Sequence, residues 1–427
     1  MENNMIMVKK EAVKNALHIL RIPKLRSWQK APLEAILRGE DVLVLKATGG
    51  GKSLLFQLPA VLEAGKEITL VLSPLRMLQK DQVTALEMKG VRAALLNSDL
   101  SRSQRRELLD NLSSHALLYL APEQLASIDL QDALRHAHIS RVVVDEAHIL
   151  PEAEEDFRQA YGKIGAWLDA MPVRPQVIAL TATATPKARK RIITALGIDH
   201  AKQFIFPVRR ENLELNVKRI SRSKGVSLRR SLFRAVEATL EQWDGRGSVI
   251  IYAPTVKRAK RVYKWLKGRG WKARCCTGKD SGEKRERNLK EFLSGKTPIM
   301  VATSAFGLGI DKPDVRFIIH AGLPLTLEEY VQEIGRAGRD GKPSRCILFY
   351  SDGDYQKNRS ILRKGGGGTE SRWSEHGLEA LKRLVKNKRC LWKEIEKYYG
   401  ETGGDTCRQC SYCMGNRYIN NFRWPRQ

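Results

Sequence analysis

Residues Asp41–Leu62 read DVLVLKATGGGKSLLFQLPAVL. Asp41–Lys46 is apolar at nearly every position and rich in β-branched and leucine side chains. Ala47-Thr48-Gly49-Gly50-Gly51-Lys52-Ser53 is a glycine-rich turn, and Leu54–Leu62 has the apolar pattern of a helix. A strand that is apolar throughout, not alternating, is covered on both faces, which calls for a parallel sheet with flanking helices. A glycine loop between such a strand and a helix also has a chemical use. Thr48, Gly49, Gly50 and Gly51 would let successive backbone N–H groups turn toward a β-phosphate, and the helix N-terminus adds a favourable dipole. Lys52 would then reach the β- and γ-phosphates, and the Ser53 hydroxyl would ligate magnesium.

The same strand pattern recurs outward from this stretch. Ile68–Ser73, Ala116–Ala121, Arg141–Asp145 and Gln176–Leu180 are short apolar runs, separated by helix-length segments such as Met77–Lys89 and Ser103–Leu112. A polar, basic stretch around Arg219–Arg230 interrupts the rhythm, which resumes at Ser248–Tyr252, Ile299–Thr303, Val315–His320 and Cys346–Tyr350. Two α/β units of roughly 150–200 residues are expected. After Tyr350 the strands stop. Gly365–Gly368 marks a turn, and Leu378, Leu381, Leu384 and Val385 recur at helical spacing.

Phosphate chemistry needs a second, acidic element. Val142-Val143-Val144-Asp145-Glu146-Ala147-His148 is an apolar strand ending in adjacent carboxylates. Asp145 would hold magnesium through water, and Glu146 would orient and deprotonate the attacking water. Adjacent acids after a strand often only cap the next helix; a phosphate loop elsewhere in the chain weakens that alternative.

The chain has 427 residues, 42% hydrophobic and 29% charged, which is globular composition with material for two or three domains. Its formal net charge is +28, too large for an enzyme of small neutral metabolites. Residues 1–205 carry 28 Lys+Arg against 23 Asp+Glu, and the remainder 47 against 24. A strongly basic half points to a polyanion, either nucleic acid or an anionic membrane surface. No apolar run reaches the ~18–20 residues that span a bilayer. Met1–Leu20 lacks a signal-peptide pattern, so an intracellular protein is expected. All seven cysteines follow residue 274, and Cys390, Cys407, Cys410 and Cys413 form a cluster that reads as a metal site in an unsecreted chain.

The ATGGGKS loop, Asp145-Glu146-Ala147-His148 and Thr181-Ala182-Thr183 together resemble superfamily-two helicases. Gln332-Glu333-Ile334-Gly335-Arg336-Ala337-Gly338-Arg339-Asp340-Gly341 sharpens the match. Ser73-Pro74-Leu75, Lys80-Asp81-Gln82-Val83 and the Ala305–Pro313 segment AFGLGIDKP narrow it to the RecQ family of DNA helicases, over nearly the whole chain from Arg26 to Cys413. The resemblance implies two tandem RecA-like parallel-sheet domains, at 1–207 and 208–350, and a small helical zinc-binding subdomain at 351–427. It implies an ATP-dependent helicase that moves 3′ to 5′ on single-stranded DNA and separates partly duplex DNA in repair or recombination. That would place it in the cytoplasm (nucleoid) of a bacterium or the nucleus of a eukaryote.

Residue by residue, Gln29 matches the glutamine that reads adenine, with Arg26 three positions before it and Gln332 as a further nucleotide contact. Lys52, Ser53, Asp145 and Glu146 match the hydrolytic residues. His148, Thr181 and Thr183 look like the elements that couple hydrolysis to motion. Arg339, and with it Arg336, resembles the arginine that meets the γ-phosphate; without the resemblance the pair at i, i+3 reads as a solvated basic face. Cys390 and Cys407-x-x-Cys410-x-x-Cys413 match the zinc ligands. An overlapping CxxCxxC can also hold an iron–sulfur cluster, although the fourth cysteine lies 17 positions upstream of Cys407 and no Cys-Pro follows.

The chain departs from the family twice. The loop after the acidic motif usually carries Trp and His, and here those positions are Ala153 and Glu155, leaving Phe157, Arg158 and Tyr161 to stack on bases or bind phosphate. The chain also ends 14 residues after Cys413. The winged-helix and small helical DNA-binding domains common in the family are therefore expected to be lacking, with duplex contact falling to the basic second half or to protein partners. An RNA helicase, and a DNA-binding or annealing protein with a weakly coupled ATPase, are the competing expectations.

Overall fold

In the first half of the chain, seven short strands are laid down: β1 (Val42–Leu45), β2 (Ile68–Leu72), β3 (Ala93–Leu96), β4 (Leu117–Leu120), β5 (Ile139–Val144), β6 (Gln176–Thr181) and β7 (Lys202–Ile205). The computed structural model describes residues 2–74, 76–152, 163–222, 225–304, 306, 312–364, 369–402 and 404–415. The strands form one sheet in the order β3-β4-β2-β5-β6-β1-β7, and every pairing is parallel. Val42, Leu43 and Val44 of β1, like Val142, Val143 and Val144 of β5, are fully buried, as strands covered on both faces must be. Each such side chain contributes roughly 1.5–3 kcal/mol relative to exposure.

The order of this sheet decides where the chemistry goes. β5, β6 and β1 are neighbours, so the segments leaving their C-terminal ends lie side by side: Asp145–Glu146, Thr181–Thr183 and Lys46–Ser53. The backbone ties two of them directly, since Lys46 N–H donates to Thr181 O at 3.1 Å, and Asp145 N–H donates to Leu72 O of β2 at 2.9 Å. Ligands of open α/β sheets bind at such strand ends.

A second sheet follows, with β8 (Leu213–Arg219), β9 (Ser248–Tyr252), β10 (Ala273–Cys276), β11 (Ile299–Ala302), β12 (Val315–Ala321) and β13 (Ser344–Tyr350) in the order β10-β11-β9-β12-β13-β8. It too is parallel throughout. The polar interruption is shorter than the Arg219–Arg230 stretch suggested. β8 runs to Arg219, pairing with Tyr350, and a helix capped by Ser227 begins at Leu228.

Helices Asp352–Lys364, Thr369–Lys386 and Leu391–Tyr398 form the tail. The cysteine loop beyond them lies along the outer edge of β8. Leu215 bridges to Cys410, Ser411 N–H donates to Leu215 O at 2.9 Å, and Val217 N–H donates to Ser411 Oγ at 3.2 Å. Trp392 Nε1–H adds a bond to Leu213 O at 3.3 Å. An edge strand that would otherwise present unpaired backbone groups is thereby covered. The chain thus forms two compact units, Met1–Phe206 and Pro207–Gln427, each built on its own RecA-like parallel sheet, with the helical tail part of the second. Among the described residues no helix is long and apolar enough to cross a membrane.

Candidate functional site

The glycine loop is held from below by a short segment that precedes the first sheet. Arg26 Nη1 donates to Gly49 O at 3.1 Å and Gly50 O at 2.8 Å, and Gln29 Nε2 donates to Gly51 O at 2.9 Å. Gln29 Oε1 in turn accepts from the Arg26 backbone N–H at 2.8 Å. The carbonyls of Gly49, Gly50 and Gly51 are thus tied down on this side, and within the loop Gly50 N–H donates to Ala47 O at 3.1 Å. Gly51 has φ +86°, and a Cβ there would meet Gln29 Nε2 at 3.2 Å, so only glycine sits without strain. Lys52 Nζ donates to Lys46 O at 2.8 Å across the loop, and Ser53 opens the helix Leu54–Leu62. Thr48 is half-buried, and Gly49 and Gly51 are exposed. Trp28 packs edge-on against Phe206, and Lys46 lies 5.6 Å and 5.1 Å from their ring centres, anchoring the Arg26–Gln29 segment beside the loop.

The acidic strand end completes the arrangement in the first unit. Burial first, and then the neighbouring Glu146, push the Asp145 carboxyl above the usual carboxylate range, while Lys52 pulls it down. Glu146 occupies the left-handed region at φ +53°. Its carboxylate lies 3.3 Å from His148 Nδ1, and that nitrogen lies 3.1 Å from Thr181 Oγ1. Thr181 Oγ1 donates to Thr183 O at 3.0 Å and accepts the Thr183 N–H at 3.3 Å. Glu146, His148, Thr181 and Thr183 therefore form one continuous polar chain across the ends of β5 and β6.

In the second unit, helix Leu327–Ile334 runs into the turn that carries Arg336 and Arg339. Two residues absent from the sequence expectations hold this turn. Arg210 donates to Gly335 O at 3.1 Å and Gly338 O at 2.5 Å, and Asn212 Nδ2 donates to Gly338 O at 2.8 Å and Lys342 O at 2.9 Å. A Cβ on Gly338 would lie 2.4 Å from Asn212 Nδ2 and 2.7 Å from Lys342 O. Arg336 is buried beside the Tyr252 hydroxyl, and Arg339 and Gln332 are half-buried, so the pair is not a solvated face. Beneath them His320 Nε2 lies 2.8 Å from Glu333 Oε2 in a fully enclosed site. Burial pushes the Glu333 carboxyl up to about 8 and the Glu329 carboxyl up to about 7, and depresses His320 to about 3. Burial thus disfavours charge on both His320 and Glu333.

The four clustered cysteines come together at the start of helix Leu391–Tyr398, where Cys390 is the residue preceding its first turn. Their sulfurs all lie within 4.8 Å of one another, and Cys407 and Cys413 are 3.7 Å apart. Four sulfurs at ~2.3 Å around one tetrahedral ion are spaced by ~3.8 Å, so the cage fits zinc. An iron–sulfur cluster spreads its thiolates over several irons and needs a wider cage. Cys407 N–H donates to Cys390 Sγ at 3.3 Å, and Leu391 N–H to Cys410 Sγ at 3.4 Å, which favours the thiolate forms a metal requires. Cys275, Cys276 and Cys346 are buried apart from this cluster, and burial raises all three thiols.

Comparison with known proteins matches three families along the chain: the DEAD/DEAH box helicase domain at residues 26–192, the helicase conserved C-terminal domain at 231–341 and the RecQ zinc-binding domain at 352–414. The ATP-dependent DNA helicase RecQ of Bacillus subtilis is 34% identical over 403 residues, covering 94% of this chain and 66% of the relative. The chain belongs to the RecQ helicase family. A second Bacillus subtilis relative, the probable ATP-dependent DNA helicase RecS, is 38% identical over 341 residues, 79% of this chain and 66% of that protein. The chain thus spans about two thirds of the length of these RecQ-type relatives. Among solved structures, the DUF1998 helicase MrfA bound to DNA superposes with a TM-score of 0.69 over 83% of this chain and 53% of that one, at 17% identity. At that identity the likeness is one of fold. Against the RecQ pattern, Phe157, Arg158 and Tyr161, together with the altered positions Ala153 and Glu155, lie outside the described residues, as do 305 and 307–311 of the AFGLGIDKP segment.

Proposed function

We propose that this chain is an ATP-dependent DNA helicase of RecQ type that moves 3′ to 5′ on single-stranded DNA and separates partly duplex DNA in repair or recombination inside the cell. The observation that carries the proposal is the polar chain from Glu146 through His148 to Thr181 and Thr183, set beside the Lys52 loop on three adjacent strand ends. A mere nucleotide-binding module needs the loop. It has no use for a polar path leading from the Glu146 carboxylate to the turn at the end of β6.

In this reading the loop N–H groups and Lys52 bind the phosphates, and Gln29 and Arg26 keep the loop in shape while Gln29 faces the adenine. Glu146 takes the proton of the attacking water. His148 feels the change of charge on Glu146 and passes it to the Thr181–Thr183 turn. Ser53 and Asp145 are the residues that would hold magnesium, whose charge offsets that of the phosphates; the raised affinity of Asp145 for a proton marks a carboxylate that gains from a nearby cation. Arg336, Arg339 and Gln332 are assigned to the γ-phosphate end of the nucleotide, where charge builds as the phosphoryl group transfers. Cys390, Cys407, Cys410 and Cys413 would hold a structural zinc that anchors the tail to β8. Protein partners that supply further DNA-binding modules fit the same reading.

The test is strand separation of a 3′-tailed DNA duplex with ATP, beside a 5′-tailed duplex, a matching RNA duplex and Lys52→Ala. Separation of the 3′-tailed DNA alone, abolished by Lys52→Ala, is the expected result. DNA binding without separation would instead favour an annealing protein, and a preference for the RNA duplex would favour an RNA helicase.

A further inference from the structure

In the second unit a cavity of about 540 Å³ opens where the ends of β8 and β13 meet the first turns of three helices. Its rim carries Arg222, Arg229, Lys257, Arg261 and Lys357, all exposed. Among the described residues none of these five has a carboxylate partner within ion-pair distance. Elsewhere on the same unit basic side chains are answered locally: Arg274 by Glu291 at 2.6 Å, Lys284 by Asp280 at 2.7 Å and Arg246 by Asp244 at 2.7 Å.

The one acid in the cavity wall, Asp354, is buried and fully engaged. Its Oδ1 accepts from Arg258 Nη2 at 3.0 Å, and its Oδ2 from the Ser351 N–H at 2.8 Å and the Ser351 hydroxyl at 2.9 Å. Five like charges around one concavity repel each other, and an anion relieves that repulsion. The inner wall is apolar and partly aromatic, formed by Leu228, Leu232, Phe233 and Tyr350. A pocket of this volume with an apolar floor and converging polar groups is shaped for a small organic ligand. A phosphodiester passing over a surface carries one charge and needs neither the depth nor five cations.

We propose that this cavity is a second nucleotide site, distinct from the glycine loop, that takes a nucleotide bearing a terminal phosphate, with the base on the Leu228–Tyr350 floor and the phosphate on the rim. The ligand is either a free nucleotide or the 5′-phosphorylated end of a strand, which present the same chemistry.

The test uses the whole chain carrying Lys52→Ala, which silences the phosphate loop. A short labelled single strand is titrated with a 5′-phosphate and with a 5′-hydroxyl, and deoxyadenosine monophosphate and pyrophosphate are added as competitors. The double variant R229E/R261E is compared with K264E/K267E, which makes the same charge change on exposed positions away from the cavity. The expected result is binding of the phosphorylated strand about tenfold tighter than the hydroxyl strand. That preference is lost in R229E/R261E and kept in K264E/K267E. If the ends bind alike but the mononucleotide competes in K264E/K267E and not in R229E/R261E, the ligand is the free nucleotide. Equal loss for both strands with no competition overturns the proposal in favour of a backbone track, and no difference between the two double variants overturns it outright. None of these outcomes bears on the 3′-tailed unwinding assay, so the two readings fail separately.

Discussion

Glu146 is one of four non-glycine residues with positive φ among the described residues, at +53°. A glutamate in that region is strained by about 1–3 kcal/mol, and its carboxylate lies 3.3 Å from His148 Nδ1. Replacing Glu146 with Gln keeps the shape and removes the proposed base. ATP turnover is expected to fall roughly 10²–10⁴-fold while nucleotide binding is retained, as read by steady-state hydrolysis beside equilibrium titration with a fluorescent ATP analogue. Unimpaired turnover would move the base elsewhere.

A second residue-scale prediction concerns Glu333. Its carboxyl is pushed up to about 8 from the ordinary 4.5, so the folded state keeps a proton that the unfolded chain releases. Stability therefore falls as pH rises through that window. His320, depressed to about 3 from 6.5, gives the opposite slope at lower pH, and above 6.5 it is neutral in both states. Between about pH 6.5 and about pH 8 His320 therefore adds nothing to the slope, and the Glu333 contribution is a fall. Glu333→Gln is expected to lose part of the fall in melting temperature that the parent shows over that interval. Parallel melting curves for the two proteins would show that Glu333 is ionised in the folded state.

Among the elements, the nine strands read from the sequence are the nine interior strands of the two sheets. The four not foreseen are β3, β7, β8 and β10, and they are the four edges. The cause is physical. An interior strand must be apolar on both faces, which the eye finds easily in Val142–Val144 or Ile299–Ala302. An edge strand is partly solvated: β7 is KQFI with exposed ends, and β8 is LELNVKR, alternating apolar and polar. β10, ARCC, owes its burial to neighbours, not to its own pattern. The same limit applies to the site. The loop, the acidic pair and the arginine turn carry local signatures, whereas Arg210, Asn212 and His320 act across more than a hundred residues or through burial, and no local pattern marks them.

The cysteine loop is the element whose energetics are most exposed to test. It covers β8 through Cys410 and Ser411, and its own fold rests on four thiols. Metal binding in such a site is folding free energy. Cys410→Ser, or treatment with a strong chelator, is expected to lower the melting temperature of the second unit and to expose the β8 edge, with aggregation as the visible consequence. Metal analysis of the parent should find one zinc per chain and no iron.

At the scale of the whole molecule the charge imbalance gives a quantitative expectation for DNA. The count of 47 Lys+Arg against 24 Asp+Glu after residue 205 was plain in the sequence, but not which of those charges are answered by neighbours. Ion pairs such as Arg219–Asp352 and Arg269–Glu237 answer some of them, and five cations without an ion-pair partner among the described residues gather at one cavity. Binding of single-stranded DNA should weaken linearly in log[salt], with a slope of about −0.7 for each phosphate neutralised. If two of the rim cations hold the terminal phosphate of a 5′-phosphorylated strand, R229E/R261E should flatten that strand's slope by roughly 1.4, and K264E/K267E should leave it nearly unchanged. A purely diffuse positive field would respond alike to both pairs, because it depends on total charge and not on position. The difference between the two slopes therefore separates a built contact from a merely basic surface, and it does so without reference to any enzymatic step.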